Sequence, residues 1–287
     1  MSDSLKVAVI IITHNRSGLL RNAISSVEAQ TIRPFELIVV DDFSEEPEAG
    51  RNREICLGKA HYIYLTDGRG PQYARNRGAA VAISDILCFL DDDDEFVDIK
   101  LERVLRAFEK NDSLGAISNS FLVRRQNRLL KVIHTETKTM VDELLSINPL
   151  GGCSMMSIRR TLFNSLGGFS EDLKSCQDWD LWIQIYLAST ILCIREPLTI
   201  YNVIPGTRIS SNARSSFLGR RKFYFKYRKF MSEETRLWNV FILASLSCSL
   251  HLNLSNLLKS VLLLVRTRRF VRGGIELGSI LKRVVIR

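Results

Sequence analysis

The chain has 287 residues, 46% of them hydrophobic and 25% charged, which is enough to bury one large core with or without an appendage. Its six cysteines stand at 56, 88, 153, 176, 193 and 248, none in a CxxC pair or at zinc spacing from a histidine, which argues against a zinc site or disulfide framework and suits a reducing compartment. The net charge of +9 is uneven: residues 219–287 hold 15 Lys/Arg against 3 Asp/Glu, and the rest hold 25 against 28, so a near-neutral body carries a basic tail suited to a polyanion.

The first run, "VAVIII" (7–12), is continuously apolar and β-branched, as a strand buried on both faces requires. With no basic n-region or small-residue cleavage site before it, the N-terminus is expected to be a strand and not a signal peptide. "THNR" (13–16) ends the run, and Ser17 is placed to cap a helix over 19–30, where Leu20, Ala23, Ile24 and Val27 recur at helical spacing. "FELIVVDD" (35–42) reads as a second buried strand ending in two carboxylates, and "HYIYL" (61–65) as a third, weaker one. Residues 68–84 open on turn residues and become helical; "DILCFL" (85–90) is a fourth strand that runs straight into four aspartates. Strand–helix alternation of this kind predicts a parallel α/β sheet, in which ligands bind beyond the carboxyl ends of the strands. The polar clusters 13–16, 41–42 and 91–94 are expected to converge there.

Further on, 98–111 is an amphipathic helix, and 115–126 with 128–134 reads as antiparallel strands about a turn near Asn127. Residues 151–169 combine small residues, a strand-like piece and a short helix stopped at Gly167-Gly168. A helix over 175–189 opens on carboxylates, with Asp180 assigned a structural place. Residues 238–258 carry no formal charge, but their serines, asparagines and histidine favour an in-plane or packing helix over a membrane span. Its leucine stripe runs through Leu243, Leu246, Leu250, Leu254 and Leu257.

Asp91, Asp92, Asp93 and Asp94 pose the central question, since adjacent carboxylates repel and folding alone does not gather them. Carboxylate oxygens are hard ligands suited to Mg²⁺ or Mn²⁺, which commonly bridge protein carboxylates to phosphates. The plainer alternative is a solvated acidic turn capping the helix that follows.

Four stretches in collinear order narrow the choice: "VIIITHNRSGLLRNAISSVEAQT", "FELIVVDDFS", "ARNRGAAVA" with "SDILCFLDDDDEFVDIKLE", and "LGGFSEDLKSCQDWDLWIQI". Together, over residues 5 to about 210, they resemble glycosyltransferase family 2, inverting nucleotide-sugar-dependent enzymes. The resemblance implies a GT-A (Rossmann-like) α/β fold, a mostly parallel central sheet flanked by helices. Its catalytic domain would span 1–218, with a nucleotide-sugar half (1–97) and an acceptor half (98–218), followed by a helical basic extension (219–287). It further implies that Thr13, His14, Asn15 and Arg16 line the base and ribose, with His14 where the family often has Tyr. Asp42 would meet the uracil edge with Asp41 in support, and Arg75 would reach the nucleotide or diphosphate unless it pairs with a neighbour. Asp91 and Asp92 would contact ribose or donor sugar, Asp93 would hold Mn²⁺ or Mg²⁺, and Asp178 would be the general base. Trp179 and Ser154 are acceptor-side candidates. Many family members carry a metal-ligating histidine after a Tyr-Arg pair, whereas residues 200–212 here read "IYNVIPGTRISSN"; Arg208, Ser210 and Ser211 are candidates to close over the diphosphate.

In the tail, cations alternate with Phe223, Tyr224, Phe225, Tyr227 and Phe230, which suits an anionic membrane surface better than nucleic acid, because the apolar stripe that follows has no use on RNA. The resulting expectation is a cytoplasmic protein, peripheral on the inner face of the cell membrane. It would move a hexose from a UDP-sugar to a lipid-linked (polyprenyl diphosphate) saccharide in O-antigen or capsule synthesis, with no nucleic acid partner. The alternative is a membrane-recruited nucleotide-binding module without transferase activity.

Overall fold

The computed structural model describes residues 4–126, 128–137, 140–204 and 213–251. The chain divides into two compact units: Met1–Thr137 with Pro149–Glu171 and Leu181–Ile204, and Lys138–Asn148 with Asp172–Asp180 and Pro205–Arg287.

The first unit is built on a mixed sheet of nine strands. β1 (Val7–Thr13), β2 (Glu36–Asp41), β3 (His61–Tyr64) and β4 (Ile86–Asp91) are parallel, in spatial order β3-β2-β1-β4. α1 (Ser17–Glu28), α2 (Glu48–Cys56) and α3 (Pro71–Val81) connect them. The continuous apolar runs work as expected because β1, β2 and β4 are covered on both faces, whereas β3 at the sheet edge is half-exposed. Val7, Val9 and Ile11 of β1 pack on the side of α1 and α4 (Lys100–Lys110), while Ala8 and Ile10 pack with α3 residues. Helix α3 lies close against this sheet through Gly78, where an added Cβ would sit 2.5 Å from Ile10 Cγ2 and 3.2 Å from Val40 Cγ2. Ser17 is the first helical residue of α1 and not its cap; its backbone N–H donates to Glu48 Oε2 of α2 at 2.7 Å.

Beyond β4 the sheet turns mixed. β5 (Asp94–Phe96), β6 (Leu114–Arg125), β7 (Arg128–Ile133), β8 (Met156–Arg159) and β9 (Thr190–Asn202) extend it, with β8 antiparallel to both β4 and β6. The hairpin about residue 127 is present as β6 and β7. Strands β5 and β9 were not anticipated, and β5 matters most: it begins at the fourth aspartate and pairs antiparallel with β9, Asp94 opposite Tyr201. The short helices α5 (Val141–Ser146) and α6 (Arg160–Ser165) and the longer α7 (Gln177–Ala188) complete the elements before residue 205; α7 gives its first four residues to the second unit and the rest to the first.

The second unit centres on α5, α8 (Ala213–Tyr227) and α9 (Glu233–His251). Helix α8 runs through the expected tail boundary at 219, and segments 138–148 and 172–180 group with it. The five tail aromatics do not act alike. Phe223 and Tyr227, one helical turn apart, are buried, whereas Phe225 and Phe230 are 51% and 68% exposed. Trp238 and Asn239 of α9 donate to the carbonyls of Ser146 and Leu145. No helix among the described residues is long and apolar enough to cross a membrane. Arg208, Ser210, Ser211 and the stripe beyond residue 251 lie outside the described residues.

Candidate active site

Parallel register brings the polar clusters together. Ile12 pairs with Asp91 and Thr13 with Asp41, so the ends of β1, β2 and β4 lie side by side. The four aspartates are not one solvated run. Asp91 ends β4, Asp92 and Asp93 make the turn, and Asp94 starts β5. The side chains therefore leave the backbone in different directions and meet different partners.

Asp91 accepts from Arg75 Nη2 at 2.5 Å. Asp92 accepts from Thr13 Oγ1 at 2.8 Å and from Arg16 Nη1 at 3.2 Å, and the same guanidinium lies 3.9 Å from Asp93. Asp94 is buried and accepts from the backbone N–H of Asn202 at 3.2 Å. Burial raises the Asp92 carboxyl to about 7, with Arg16 and Thr13 opposing and Asp93 and Asp91 adding to the rise. Burial, then repulsion from Asp93 and Asp91, holds the Asp94 carboxyl well above its ordinary value. Asp91, Asp93 and Asp94 each offer an oxygen within 4.8 Å of the others. Three hard carboxylate oxygens, two of them on partly exposed residues, are a donor set that fits Mg²⁺ or Mn²⁺.

Beneath this cluster lies a fully buried lysine. Lys100, the first residue of α4, donates from Nζ to the Ser154 carbonyl at 2.5 Å and to Thr199 Oγ1 at 3.1 Å, and stands 3.9 Å over the Phe96 ring. Burial lowers it to about 7, with Cys88 and Asp94 opposing. Ser154 in turn accepts the Asp91 backbone N–H at 3.1 Å and hydrogen-bonds Asp94.

On the β2 side, Asp42 is half-buried, and its carboxylate accepts the backbone N–H groups of Arg69 (3.0 Å) and Gly70 (2.9 Å). His14 is exposed, with Nδ1 2.8 Å from the Asp42 carbonyl. Asn15, exposed with φ 55°, ties the loop after β1 to the loop after β2: its N–H donates to Ser44 Oγ and its side chain accepts from the Glu45 N–H.

Several expected ligand contacts are corrected by burial. Asp41 is fully buried and accepts from the Ser44 N–H, Asn52 Nδ2 and Tyr62 OH, so it shapes the loop and cannot touch a nucleotide. Thr13 is buried with its hydroxyl on Asp92, and Asp92 is 5% exposed with an oxygen on each of Thr13 and Arg16; neither faces a ribose. Arg75, also 5% exposed, braces Asp91 and does not reach out to a diphosphate. Ser154 is buried under the cluster and cannot meet an acceptor. Sequence reasoning gave Asp94 no role of its own within the four aspartates, and assigned none to Lys100 or Asn202. The Asn202 amide donates to the Asp93 carbonyl at 2.9 Å and to Glu95 at 3.2 Å, and so fixes the turn.

In the second unit, the half-buried Asp178 lies in the first turn of α7 and accepts the Trp179 N–H at 2.8 Å. Trp179 is 6% exposed, stacked on Phe223 with centroids 4.4 Å apart, and donates from Nε1 to the Leu144 carbonyl; it is a core residue and offers no face to a sugar. Asp180 is structural as expected: fully buried, it accepts twice from Lys226 (2.6 and 2.9 Å) and once from Tyr227 OH at 2.8 Å.

The profile of the family described as "Glycosyl transferase family 2" matches residues 8–167, more than half of the chain and all of the strand-end cluster. The chain belongs to glycosyl transferase family 2. An uncharacterized glycosyltransferase of Haemophilus influenzae is 28% identical over 203 residues, covering 67% of each chain. Another, YwdF of Bacillus subtilis, is 27% identical over 63% of this chain and 68% of its own length. The match to an uncharacterized glycosyltransferase of Rickettsia felis, 28% identical over 70% of this chain, spans 34% of that relative's length. Among solved structures, Staphylococcus aureus TarS 1-349 in complex with UDP-GlcNAc superposes with a TM-score of 0.66 at 19% identity, covering 91% of this chain and 80% of that one. TarS 1-349 in complex with UDP gives 0.63 over 88% and 76%. The fold is that of the GT-A glycosyltransferases, as expected. For this family 2 member, the matched stretch holds Asp42 and Asp91–Asp94 and stops before α7 and Asp178.

Proposed function

We propose that the chain is an inverting glycosyltransferase that moves a hexose from a UDP-sugar to a hydroxyl of a lipid-linked saccharide. The observation that carries this reading is the clustering of Asp91, Asp93 and Asp94 oxygens within 4.8 Å, on a strand end whose neighbours present Asp42 and His14. The UDP and UDP-GlcNAc complexes of TarS support a uridine donor for a chain of the same fold. Asp91, Asp93 and Asp94 would hold Mn²⁺ or Mg²⁺, with Asp93 contributing from the turn. Such an ion supplies charge compensation for the departing diphosphate.

The rest is the work of the chain. Asp42 accepts an N–H from the uracil edge with lone pairs left over from Arg69 and Gly70. Arg16, half-buried and already facing Asp92 and Asp93, orients the turn. Asp178 takes the proton of the acceptor hydroxyl as that oxygen bonds to the anomeric carbon; the glycosidic bond to UDP breaks on the opposite face, and the configuration inverts.

The exposed Phe225 and Phe230, with Arg228 Cζ 4.9 Å from the Phe225 ring, support docking of the tail on an anionic membrane that carries the acceptor. That would place the protein on the inner face of the cell membrane, in assembly of O-antigen or capsule repeat units. The proposed boundary between catalytic domain and membrane-associating tail then belongs near the start of α8 and not at residue 219.

A thermal-shift panel of UDP, GDP and dTDP, each with and without Mn²⁺, tests the donor site. UDP at about a hundred times its Kd adds about 2.7 kcal/mol. Stabilisation by UDP with Mn²⁺ that is lost in Asp93→Ala is the expected result; no shift with any nucleotide refutes it. Nucleotide binding without hexose turnover would instead support a recruited binding module.

A further inference from the structure

One residue at the donor-side strand ends is held in a conformation that folding does not favour. Phe43, directly after Asp42, has φ +65°, a region where a bulky side chain crowds its own backbone and glycine is favoured. Its ring does not repay this by joining the core, since Phe43 is 44% exposed.

The strain is imposed from both sides. Asp42 is pinned by its N–H on the Thr13 carbonyl (2.9 Å) and by its carboxylate on the Arg69 and Gly70 N–H groups. Ser44 is 2% exposed and pinned by its N–H on Asp41, by the Asn15 N–H and Asn52 amide on its hydroxyl, and by Tyr64 OH on its carbonyl. Between these two fixed residues, the chain turns through positive φ. A glycine would do this without strain, yet a phenylalanine stands here, its ring 6.3 Å from that of Tyr64, itself 38% exposed. Two exposed aromatic rings thus stand at the β2 strand end: Tyr64 pairs with Asp41, and Phe43 packs by Gly68, next to the Arg69–Gly70 backbone that holds the Asp42 carboxylate.

We infer that Phe43, with Tyr64 beside it, is an aromatic platform on which the base of the donor nucleoside diphosphate stacks, and that its backbone strain is retained for that purpose. The inference rests on the donor reading above and assigns it a residue. Stacking of a base on an aromatic side chain is sequence-tolerant and strong enough to shift affinity about tenfold or more. Uracil selectivity would still come from the Asp42 edge, and the platform would add affinity.

The test uses the full chain with Mn²⁺ and two probes, UDP and inorganic pyrophosphate, in wild type, Phe43→Gly and Phe43→Tyr, by calorimetry and thermal melting. Phe43→Gly should weaken UDP about tenfold and leave pyrophosphate unchanged. In the ligand-free protein it should raise Tm by about 3 °C, because the strain is relieved. Phe43→Tyr keeps the ring and should keep UDP affinity. A Phe43→Gly protein that gains stability and binds UDP as wild type does overturns the platform while leaving the donor site intact. If wild type binds none of UDP, GDP or dTDP, the donor reading and the platform fall together.

Discussion

Replacing Lys100 with methionine should change the pH dependence of stability in a definite direction. The ammonium is fully buried, and burial brings it from 10.5 to about 7. The unfolded chain therefore binds more protons than the folded one between pH 7 and 10.5, and in that window wild-type stability rises with pH. The slope is at most about 1.4 kcal/mol per pH unit, and the whole step is worth about 5 kcal/mol. Methionine has a similar stem and nothing to titrate, so Lys100→Met lacks this slope. It also loses the bonds to the Ser154 carbonyl and Thr199, so its absolute stability is the less informative number. Asp92 titrates in the opposite sense: its pKa is raised to about 7, so its contribution is present below pH 3.8 and is lost as pH rises to 7. Above pH 7.5 most of that step is over, and the difference between the two proteins reports Lys100 together with its interaction with Asp94. Urea unfolding followed by circular dichroism from pH 7.5 to 9.5 should give a wild-type minus Lys100→Met difference that climbs by about 2 kcal/mol. Parallel curves would show that Lys100 keeps its ordinary basicity and that the cluster above it does not rest on a near-neutral amine.

Gly78→Ala should destabilise by about 1–3 kcal/mol, read as a lowered Tm, because its Cβ would lie 2.5 Å from Ile10 Cγ2 in a packed interior; a neutral substitution would mean that α3 shifts freely on the sheet. Asp178→Asn should cut transfer about 10²–10⁴-fold with UDP affinity unchanged, and transfer at the wild-type rate would remove Asp178 from the mechanism. Phe225→Ser with Phe230→Ser, both exposed, should weaken cosedimentation with vesicles of phosphatidylglycerol without lowering Tm; equal binding would place any membrane contact elsewhere.

The parallel half of the sheet was legible because β1, β2 and β4 are apolar without interruption and end in polar residues, a pattern that only a strand covered on both faces requires. The same reading put Asp42 and Asp93 at one edge. What it could not supply was which way each polar side chain points. Asp41 and Asp42 are adjacent on an extended chain, so their side chains diverge: one enters the loop beneath and the other faces the strand ends. Arg75 and Arg16 carry the same charge, yet Arg75 is 5% exposed against Asp91, and the Arg16 side chain is 31% exposed. Strand β9 was missed because it carries charges and a proline, "CIREPLTIYN", and its strand character comes from pairing with β6 and β5. Lys100 did leave a trace. It stands in register with Val104 and Phe108 on the buried stripe of α4, where a lysine is out of place unless it has buried partners.

Four adjacent aspartates are tolerable here because the fold does not treat them as equals. Asp91 has Arg75 and Asp92 has Arg16, each a charged partner within hydrogen-bonding distance. Asp94 is buried among neutral donors, the Asn202 N–H and the Ser154 hydroxyl, and its carboxyl is correspondingly reluctant to ionise. A solvated acidic turn capping α4 would show none of this: its carboxylates would be exposed, and none would need an arginine from α3 or a buried lysine beneath it. Residues that at first suggest ligand contacts are thus the frame that aims a smaller set. A variant at Thr13, Asp41, Arg75 or Ser154 that weakens nucleotide binding would do so by moving Asp42, Asp91 or Asp94, not by removing a contact with the nucleotide.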